Sequence, residues 1–336
     1  MNHDDLLSAV RRLLNAPPDA VVECRELLVT AAESQIYEVV LDAEYAPGGS
    51  AVHAALKQFK VPDGGRRVRT DAELLERLHR RGVSVPRVLG ASADDGLLLL
   101  EWAGPVTLAD LLKADGSVGA AVWEAVLAEL AKLHMALNEE LCGRRQVPQW
   151  TFTGPQRLEW AIAGLGEWRR WLAEERIDKL PTAADDKVAS CAARLASYPM
   201  DRIIWGDCNP KNVMMHGGRP CFIDFQAKRS SPMLDVVLLF TFADEPSTYV
   251  PRAEAHQFLS SCHGLAGMES AARTAFSDWY DDELLWRLLV YGGNLLRGRE
   301  SRNRHWSAVC RKMLPDLEAL VGFDRSGCVA QRPMEE

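Results

Sequence analysis

Three polar residues within one short stretch, residues 203–224, have the types and the spacing that phosphoryl transfer requires. The stretch reads IIWGDCNPKNVMMHGGRPCFID, and its three apolar runs predict strands, with a tight turn at residues 216–218. Asp207 and Asn212 fall in the polar loop after the first strand, and Asp224 follows the last. A carboxylate can accept the proton of an acceptor hydroxyl, while an amide and a second carboxylate are hard oxygen ligands that suit Mg²⁺. The spacing therefore predicts Asp207 as the catalytic base, with Asn212 and Asp224 as magnesium ligands.

A lysine inside a predicted strand offers positive charge to the same chemistry. Residues 52–59 read VHAALKQF, and a period of two places Ala55, Lys57 and Phe59 on one face of the strand. A lysine within an apolar strand is costly unless an anionic group meets it. Lys57 is therefore predicted to contact an anion; the alternative is a lysine on the solvent face of an edge strand.

The motif WGDCNPKN followed by FIDFQ resembles the catalytic segment of the aminoglycoside phosphotransferase and choline kinase superfamily, and the continuation IDFQAKRSSPMLDVVLLF looks most like its ecdysteroid-kinase-like branch. Trp205 stands where this family usually has histidine. The resemblance implies an α+β, bilobal, protein-kinase-like fold. Its small lobe, residues 1–103, would carry an antiparallel sheet plus one helix and bind the nucleotide. The larger, mostly helical lobe, residues 104–336, would carry the catalytic loop and the substrate site, with the nucleotide between the lobes.

The resemblance also implies a nucleotide site for ATP or GTP with Mg²⁺. The A-L-K triplet resembles the kinase A-x-K, so Lys57 would reach the α- and β-phosphates. Ser34 is the implied phosphate contact in the loop at residues 30–35, although this loop lacks glycine and an ordinary hairpin turn explains it equally well. Main-chain groups near Glu101 and Ala103 would bind the adenine edge.

A helix after the third strand would supply a carboxylate that fixes Lys57. The helix is predicted over residues 71–80, and by register the family's glutamate falls on Asp71, with Glu73 as competitor. Asp71 is equally well explained as a plain N-cap. An apolar stripe from Leu6 to Leu14 predicts a further helix near the start of the chain.

Other polar residues near the motif are interpreted as structural. The resemblance implies that Asp235 bonds back to the catalytic loop. We interpret His134 as a packed or capping histidine rather than a catalyst. Lys228 and Arg229 follow the second carboxylate. We interpret them as a solvated basic pair, with phosphate or substrate contact as the alternative.

Composition excludes several classes of function. The 336 residues carry a net charge of −8, which argues against nucleic-acid binding. No apolar run approaches the length of a membrane span, and the first residues do not form a signal-peptide pattern. The eight cysteines lack metal-ligand spacing, so a cytoplasmic protein with reduced thiols is expected. An acidic cluster late in the chain is interpreted as solvated surface; its members are Asp278, Asp281, Asp282 and Glu283.

These observations predict a small-molecule kinase that transfers the γ-phosphate of a nucleoside triphosphate to a hydroxyl of a small metabolite or antibiotic. One alternative is an aminoglycoside-type resistance enzyme with the same chemistry. The other is a pseudokinase that binds a nucleotide or a partner without catalysis. Against the pseudokinase, the four residues Lys57, Asp207, Asn212 and Asp224 are all present together. The sequence leaves the acceptor and the oligomeric state undetermined.

Overall fold

The computed structural model describes residues 3–20, 22–27, 34–44, 51–141, 147, 154–177, 180–198, 202–242, 246–259, 273–298 and 303–322. The chain divides into two compact units: Met1–Val106 with Met214–Phe225, and Thr107–Val213 with Gln226–Glu336. The segment that carries Asp224 thus groups with the first unit, whereas the sequence-based division at residue 103 placed it in the second domain. The functional roles of the two domains stay predictions.

An antiparallel sheet organises the first unit. Its strands are β1 (Val22–Leu27), β2 (Ser34–Leu41), β3 (Val52–Phe59), β4 (Val88–Ser92) and β5 (Leu97–Glu101). They are arranged in the order β1-β2-β3-β5-β4. Along β3, Ala54 and Leu56 are fully buried in the core, so the period of two turns Lys57 toward the opposite face, as the alternation predicts.

Two helices accompany this sheet. Helix α1 (His3–Leu14) packs Leu6, Val10 and Leu14 into the same core as Leu56 of β3. Its amphipathic spacing is the reason that the sequence predicts it.

Helix α2 (Gly64–Arg80) begins two turns earlier than the sequence analysis predicts. Glycines at its start resemble a turn, but a Cβ at Gly65 would lie only 2.4 Å from the carbonyl oxygen of Ala93. Glycine is therefore required by close packing rather than by a chain reversal. Asp71 consequently lies in the middle of α2, and its interpretation as an N-cap is wrong.

A hairpin precedes Asp224. Its strands are β7 (Val213–His216) and β8 (Arg219–Phe222), joined by Gly217 and Gly218, both with positive φ. This is the turn that the sequence predicts, because only glycine adopts two consecutive left-handed conformations readily. In the first unit, the Phe222 N–H donates to the carbonyl oxygen of Ser84 at 2.9 Å, which anchors the hairpin.

The second unit is mostly helical. Its helices are α3 (Leu108–Asp115), α4 (Ala120–Leu141), α5 (Gly154–Glu174), α6 (Ala184–Leu195), α7 (Pro232–Thr241), α8 (Arg252–Phe258), α9 (Arg273–Arg287), α10 (Gly293–Arg297) and α11 (Asn303–Val321). Strands β6 (Arg202–Ile204) and β9 (Lys228–Ser230) form a short antiparallel pair. Together with the sheet of the first unit, these helices confirm the predicted α+β class.

The core of the second unit is aromatic. Trp123, Trp168 and Trp171 are among its largest fully buried side chains. Trp123 packs against Phe240 of α7 with ring centroids 4.7 Å apart, so α4 and α7 share one core. Of the helices in the described ranges, none is long and apolar enough to cross a bilayer.

Helix α9 contains consecutive carboxylates that each have a basic partner in the second unit. The pairs are Asp281 with Arg252 and His256, Asp282 with Arg194, and Glu283 with Arg157. Asp282 is 3% exposed and Glu283 is fully buried, so the interpretation of these members of the acidic cluster as solvated surface is wrong. Pairing is what burial of a charge requires.

Candidate active site

Carboxamide side chains hold Asp207 in the loop after β6. Asn212 Nδ2 donates to Asp207 Oδ2 at 3.0 Å, and Asn209 Nδ2 donates to Oδ1 at 3.1 Å. Gln226 Nε2 lies 3.3 Å from Oδ2. Asn209 also accepts a hydrogen bond from the Lys211 N–H at 3.0 Å, which caps a short 3-10 turn over residues 210–212. These donors orient a carboxylate whose oxygens can accept further hydrogen bonds, as a base for a hydroxyl group must.

Asp235 of α7 anchors this loop by accepting hydrogen bonds from its backbone. The Trp205 N–H donates to Asp235 Oδ2 at 2.7 Å, and the Gly206 N–H donates to Oδ1 at 2.9 Å. His134 Nε2 of α4 hydrogen-bonds the same carboxylate at 2.8 Å, and neither side chain is exposed. The structure therefore agrees with the interpretation of both residues: Asp235 bonds back to the loop, and His134 is a packed histidine that holds it.

The tryptophan that replaces the family's histidine is fully buried. Trp205 reaches Asp235 through its backbone N–H, which any residue type except proline can supply. The departure from the family pattern therefore leaves this anchor of the loop intact.

Lys228 lies beside the loop, and its interpretation as a solvated residue is wrong. Gly206 has φ +82°, and a Cβ there would lie 2.8 Å from the Gln226 carbonyl oxygen and 2.9 Å from Lys228 Cδ. The lysine stem thus packs where only glycine leaves room. Burial lowers the pKa of Lys228, and the charges of Asp207 and Asp235 act in the opposite direction. A positive charge therefore stands near the carboxylate of Asp207.

In the first unit, Lys57 and Asp224 form an ion pair. Lys57 Nζ lies 2.7 Å from Asp224 Oδ1, and 16% of the lysine side chain is exposed against 43% of the aspartate. Lys57 is thus partly buried and meets an anion, as the sequence predicts. Asp224 has φ +56°, a conformation that is uncommon for residues other than glycine and is often found at functional sites.

Asp71 is the helix carboxylate near Lys57, and Glu73 is not. Burial raises the pKa of Asp71 to about 6; the Lys57 charge acts to lower it, and the Asp224 charge acts to raise it. Glu73 instead pairs with Arg77 one turn along α2. The structure therefore brings Lys57, Asp71 and Asp224 together, while the Lys57 hydrogen bond goes to Asp224.

The remaining predicted nucleotide contacts lie at strand ends of the first unit. Ser34 is the buried first residue of β2, opposite Phe59. The preceding loop, residues 28–33, lies outside the described residues. Glu101 ends β5, and its N–H donates to the Arg87 carbonyl oxygen at 2.8 Å. An adenine contact at Glu101 would therefore use its carbonyl oxygen. Ala103 follows outside the strand and is half-buried. These roles stay predictions.

Asn212, in the second unit, and Asp224, in the first, each carry side-chain oxygens of the kind that Mg²⁺ prefers, and their roles as ligands stay predictions. Both side-chain hydrogen bonds of Asn212 use Nδ2, which leaves Oδ1 as the atom for a cation, and Asp224 presents a carboxylate. Such hard oxygens are the ligands that magnesium prefers. Across the described ranges, no group of three or more His, Cys, Asp or Glu gathers into a site that could hold a metal by itself.

Sequence reasoning missed the roles of two residues that touch Asp207. Asn209 precedes Pro210, and an Asn-Pro pair favours turn initiation, so its capping role had a signal in the sequence. Gln226 belongs to the quoted FIDFQ motif, but the sequence alone does not show that its amide faces Asp207.

Comparison with known proteins supports these observations. The chain matches the model of the phosphotransferase enzyme family over residues 54–273, nearly two thirds of its length. A search of curated proteins finds no match.

Solved structures of small-molecule kinases share the fold. A choline kinase from Cryptosporidium parvum has a TM-score of 0.54 and 10% identity, covering 97% of this chain and 97% of that chain. The choline kinase LicA from Streptococcus pneumoniae has a TM-score of 0.52 and 13% identity, covering 95% and 99%. An ADP-bound aminoglycoside phosphotransferase, APH(2'')-Ib, has a TM-score of 0.52 and 12% identity, covering 96% and 98%. At these identities the likeness concerns the fold, and it does not confirm the ecdysteroid-kinase-like branch. Because the matched span includes Lys57, the Asp207 loop and Asp224, the chain belongs to the phosphotransferase enzyme family.

Proposed function

We propose that this protein is a small-molecule kinase that transfers the γ-phosphoryl group of ATP or GTP to an alcohol hydroxyl of a small metabolite or antibiotic, with Mg²⁺. The observation that carries the proposal is the Asp207 loop, where carboxamides of Asn209, Asn212 and Gln226 orient one carboxylate. Membership in a phosphotransferase family supports the reaction class. The ADP in a solved structure of the same fold supports a nucleotide as the donor.

Asp207 is the proposed base. It would accept the proton of the acceptor hydroxyl as that oxygen bonds to the γ-phosphorus, while the bond from the γ-phosphorus to the bridging oxygen breaks and the nucleoside diphosphate leaves. The proton would then pass from Asp207 to solvent. Lys228 would place a positive charge beside this carboxylate.

The phosphates would be held by Lys57, with Asn212 Oδ1 and the Asp224 carboxylate as the magnesium ligands. The ion, when bound, supplies charge neutralisation for the phosphate oxygens. Lys57 would exchange part of its contact with Asp224 for phosphate oxygens. Ser34 would contact the phosphates, and the backbone of Glu101 and Ala103 would bind the adenine edge.

The test is nucleotide consumption by the purified protein with Mg²⁺ and a panel of hydroxylated acceptors: aminoglycosides, amino sugars, choline-like alcohols and sterols. Asp207→Ala is expected to lower acceptor-dependent turnover by about 10²–10⁴-fold. Asp186→Ala is the matched control, because Asp186 is an exposed aspartate on α6. Wild-type turnover in Asp207→Ala would show that the base is assigned wrongly.

The two alternatives have separate outcomes in this assay. Turnover restricted to aminoglycosides, together with protection of bacteria that express the chain, would identify a resistance enzyme. Absence of Mg-nucleotide binding in a thermal-shift measurement would contradict the kinase and leave the binding-module interpretation.

A further inference from the structure

The first unit contains a cavity of about 370 Å³. Sites that bind small molecules usually have volumes of about 300–1,000 Å³, so this cavity is large enough for one. All of its lining residues belong to the first unit. Its walls are the end of α2 with the loop at residues 82–86, the end of β5 with residues 101–103, and the β7–β8 hairpin.

Backbone hydrogen bonds join the walls of this cavity to one another. The Phe222 N–H, next to the lining residue Cys221, donates to the Ser84 carbonyl oxygen at 2.9 Å and so joins the hairpin to the loop after α2. The Glu101 N–H donates to the Arg87 carbonyl oxygen at 2.8 Å and joins β5 to the chain that follows the same loop. The cavity is therefore preformed, and binding of a ligand requires little ordering of the protein.

The interior of the cavity is apolar and partly aromatic. Its buried apolar lining residues are Val83, Val85, Pro86 and Pro220. Trp102 also lines it and is half-buried; its ring is stacked on the His53 ring with centroids 4.4 Å apart and planes 15° apart, which fixes its orientation. Such a lining favours a ligand with a flat apolar body.

Two opposite charges line the same cavity without forming an ion pair. They belong to Arg219 of the hairpin and Glu101 at the end of β5, and both residues are exposed. In the part of the chain that the structure describes, neither side chain has a hydrogen-bond or ion-pair partner. The exposed rings of His79 and His216 add hydrogen-bonding groups at the rim. The cavity thus offers a ligand one cation and one anion beside an apolar interior.

The cavity is separate from the predicted phosphate contacts of the first unit. Lys57, Asp71 and Asp224 do not line it. Glu101 lies opposite Ala54 in the register of β5 with β3, so its side chain and that of Lys57 are on opposite faces of the sheet. A ligand that binds the Glu101 carboxylate therefore does not compete with a nucleotide for Lys57.

We propose that this cavity binds an aromatic α-amino acid. The carboxylate of the ligand binds Arg219, whose planar guanidinium fits a carboxylate through two parallel hydrogen bonds. The ammonium group binds Glu101, and the aromatic ring occupies the apolar interior beside Trp102. A zwitterion satisfies both charges, whereas an aromatic acid without the amine leaves its carboxylate facing that of Glu101, and an amine without the carboxylate leaves its charge facing Arg219. This inference does not depend on the kinase chemistry.

Isothermal titration calorimetry on the full chain tests the ligand class. L-tryptophan and L-phenylalanine are the zwitterionic probes; indole-3-propionate and 3-phenylpropionate lack the amine, and tryptamine and phenethylamine lack the carboxylate. At least one of the two amino acids is expected to bind about tenfold more tightly than both of its analogues, since each analogue loses one charge-assisted hydrogen-bonding group. The proposal is overturned if neither amino acid shows saturable binding, or if an analogue binds as tightly as its parent.

Neutral variants test the two charged residues. Arg219→Gln and Glu101→Gln are each expected to weaken binding of the amino acid roughly tenfold. Arg69→Gln and Glu76→Gln are the charge-matched controls, because both residues are exposed on α2 and do not line the cavity. Binding of wild-type strength in both Arg219→Gln and Glu101→Gln would overturn the proposed contacts.

Alkylation of Cys221 locates the ligand in the wild-type protein, without any substitution. Cys221 is half-buried and lines the cavity, whereas the half-buried Cys24 of β1 does not line it. A saturating concentration of the amino acid is expected to lower the rate of Cys221 alkylation by iodoacetamide several-fold and to leave the rate at Cys24 unchanged, as measured by mass spectrometry of the peptides. Equal Cys221 rates with and without the amino acid would overturn the location. None of these measurements uses nucleotide turnover, so their outcome is independent of the proposed kinase activity.

Discussion

Replacing Asp71 by asparagine is expected to stabilise the folded protein at neutral pH and to remove part of its pH dependence. Asp71 lies within α2, partly buried beside Lys57 and Asp224, and its pKa is raised from 3.8 to about 6. Burial is the main cause, and the Asp224 charge adds to it. Asparagine has nearly the same shape but does not ionise, so the substitution removes the titration while it largely preserves the packing.

The sign follows from the raised pKa. Below pH 3.8 the carboxyl is protonated in both the folded and the unfolded chain, so it has no effect on stability. Between pH 3.8 and 6 the unfolded chain loses the proton while the folded protein retains it, so the free energy of unfolding falls as the pH rises. A difference of this size corresponds to a loss of about 3 kcal/mol, complete above pH 6.

Urea unfolding between pH 4 and 8 measures the effect. The free energy of unfolding of Asp71→Asn minus that of wild type is expected to grow by about 2.4 kcal/mol across this range, with most of the change below pH 6.5. Glu73→Gln is the control, because Glu73 is half-exposed and forms an ion pair with Arg77 along the helix surface; it is expected to change stability by less than about 1 kcal/mol. A difference between Asp71→Asn and wild type that stays constant from pH 4 to 8 would refute the reasoning.

Three further substitutions test how the Asp207 loop is supported. Gly206→Ala places a Cβ 2.8 Å from a carbonyl oxygen at positive φ, so we expect a loss of about 2 kcal/mol or more in urea unfolding; a change below 0.5 kcal/mol would contradict this close approach. Asp235→Ala leaves the Trp205 and Gly206 N–H groups and His134 without their buried acceptor, so a loss of about 3–5 kcal/mol is expected, and a Tm equal to that of wild type would be inconsistent with these bonds. Lys228→Met removes a partly buried charge beside Asp207, so kcat is expected to fall about tenfold or more while stability is retained, with recovery in Lys228→Arg; unchanged kcat would assign Lys228 to packing alone.

The sequence was sufficient where function depends on residues that are close along the chain. The predicted hairpin turn lies at Gly217 and Gly218, since two left-handed residues need glycine. The alternation in β3 placed Lys57 opposite the buried Leu56. In both cases a short-range pattern determines the local geometry. The contact of Asp235 with the loop was expected only from the resemblance to the family.

The sequence was insufficient where the structure depends on contacts between distant segments. The early start of α2 at Gly64 depends on the approach of Gly65 to Ala93, which no local propensity encodes. The sequence alone suggests that Lys228 is a surface residue. In the structure, the pairing of β9 with β6 places its stem against Gly206.

The late acidic cluster has the same explanation. Asp282 and Glu283 find their arginines 88 and 126 positions earlier in the chain. Composition alone therefore could not show that these carboxylates are buried and paired.

Phosphoryl transfer by Asp207→Asn, compared with wild type, tests the central claim most directly. Once an acceptor is known, the phosphorylated product is measured by mass spectrometry and the Kd for the Mg-nucleotide is measured in parallel. The proposed role predicts that product formation falls by about 10²–10⁴-fold while the Kd changes little, since Asp207 acts on the acceptor hydroxyl. Product formation at the wild-type rate in Asp207→Asn would contradict the proposed mechanism.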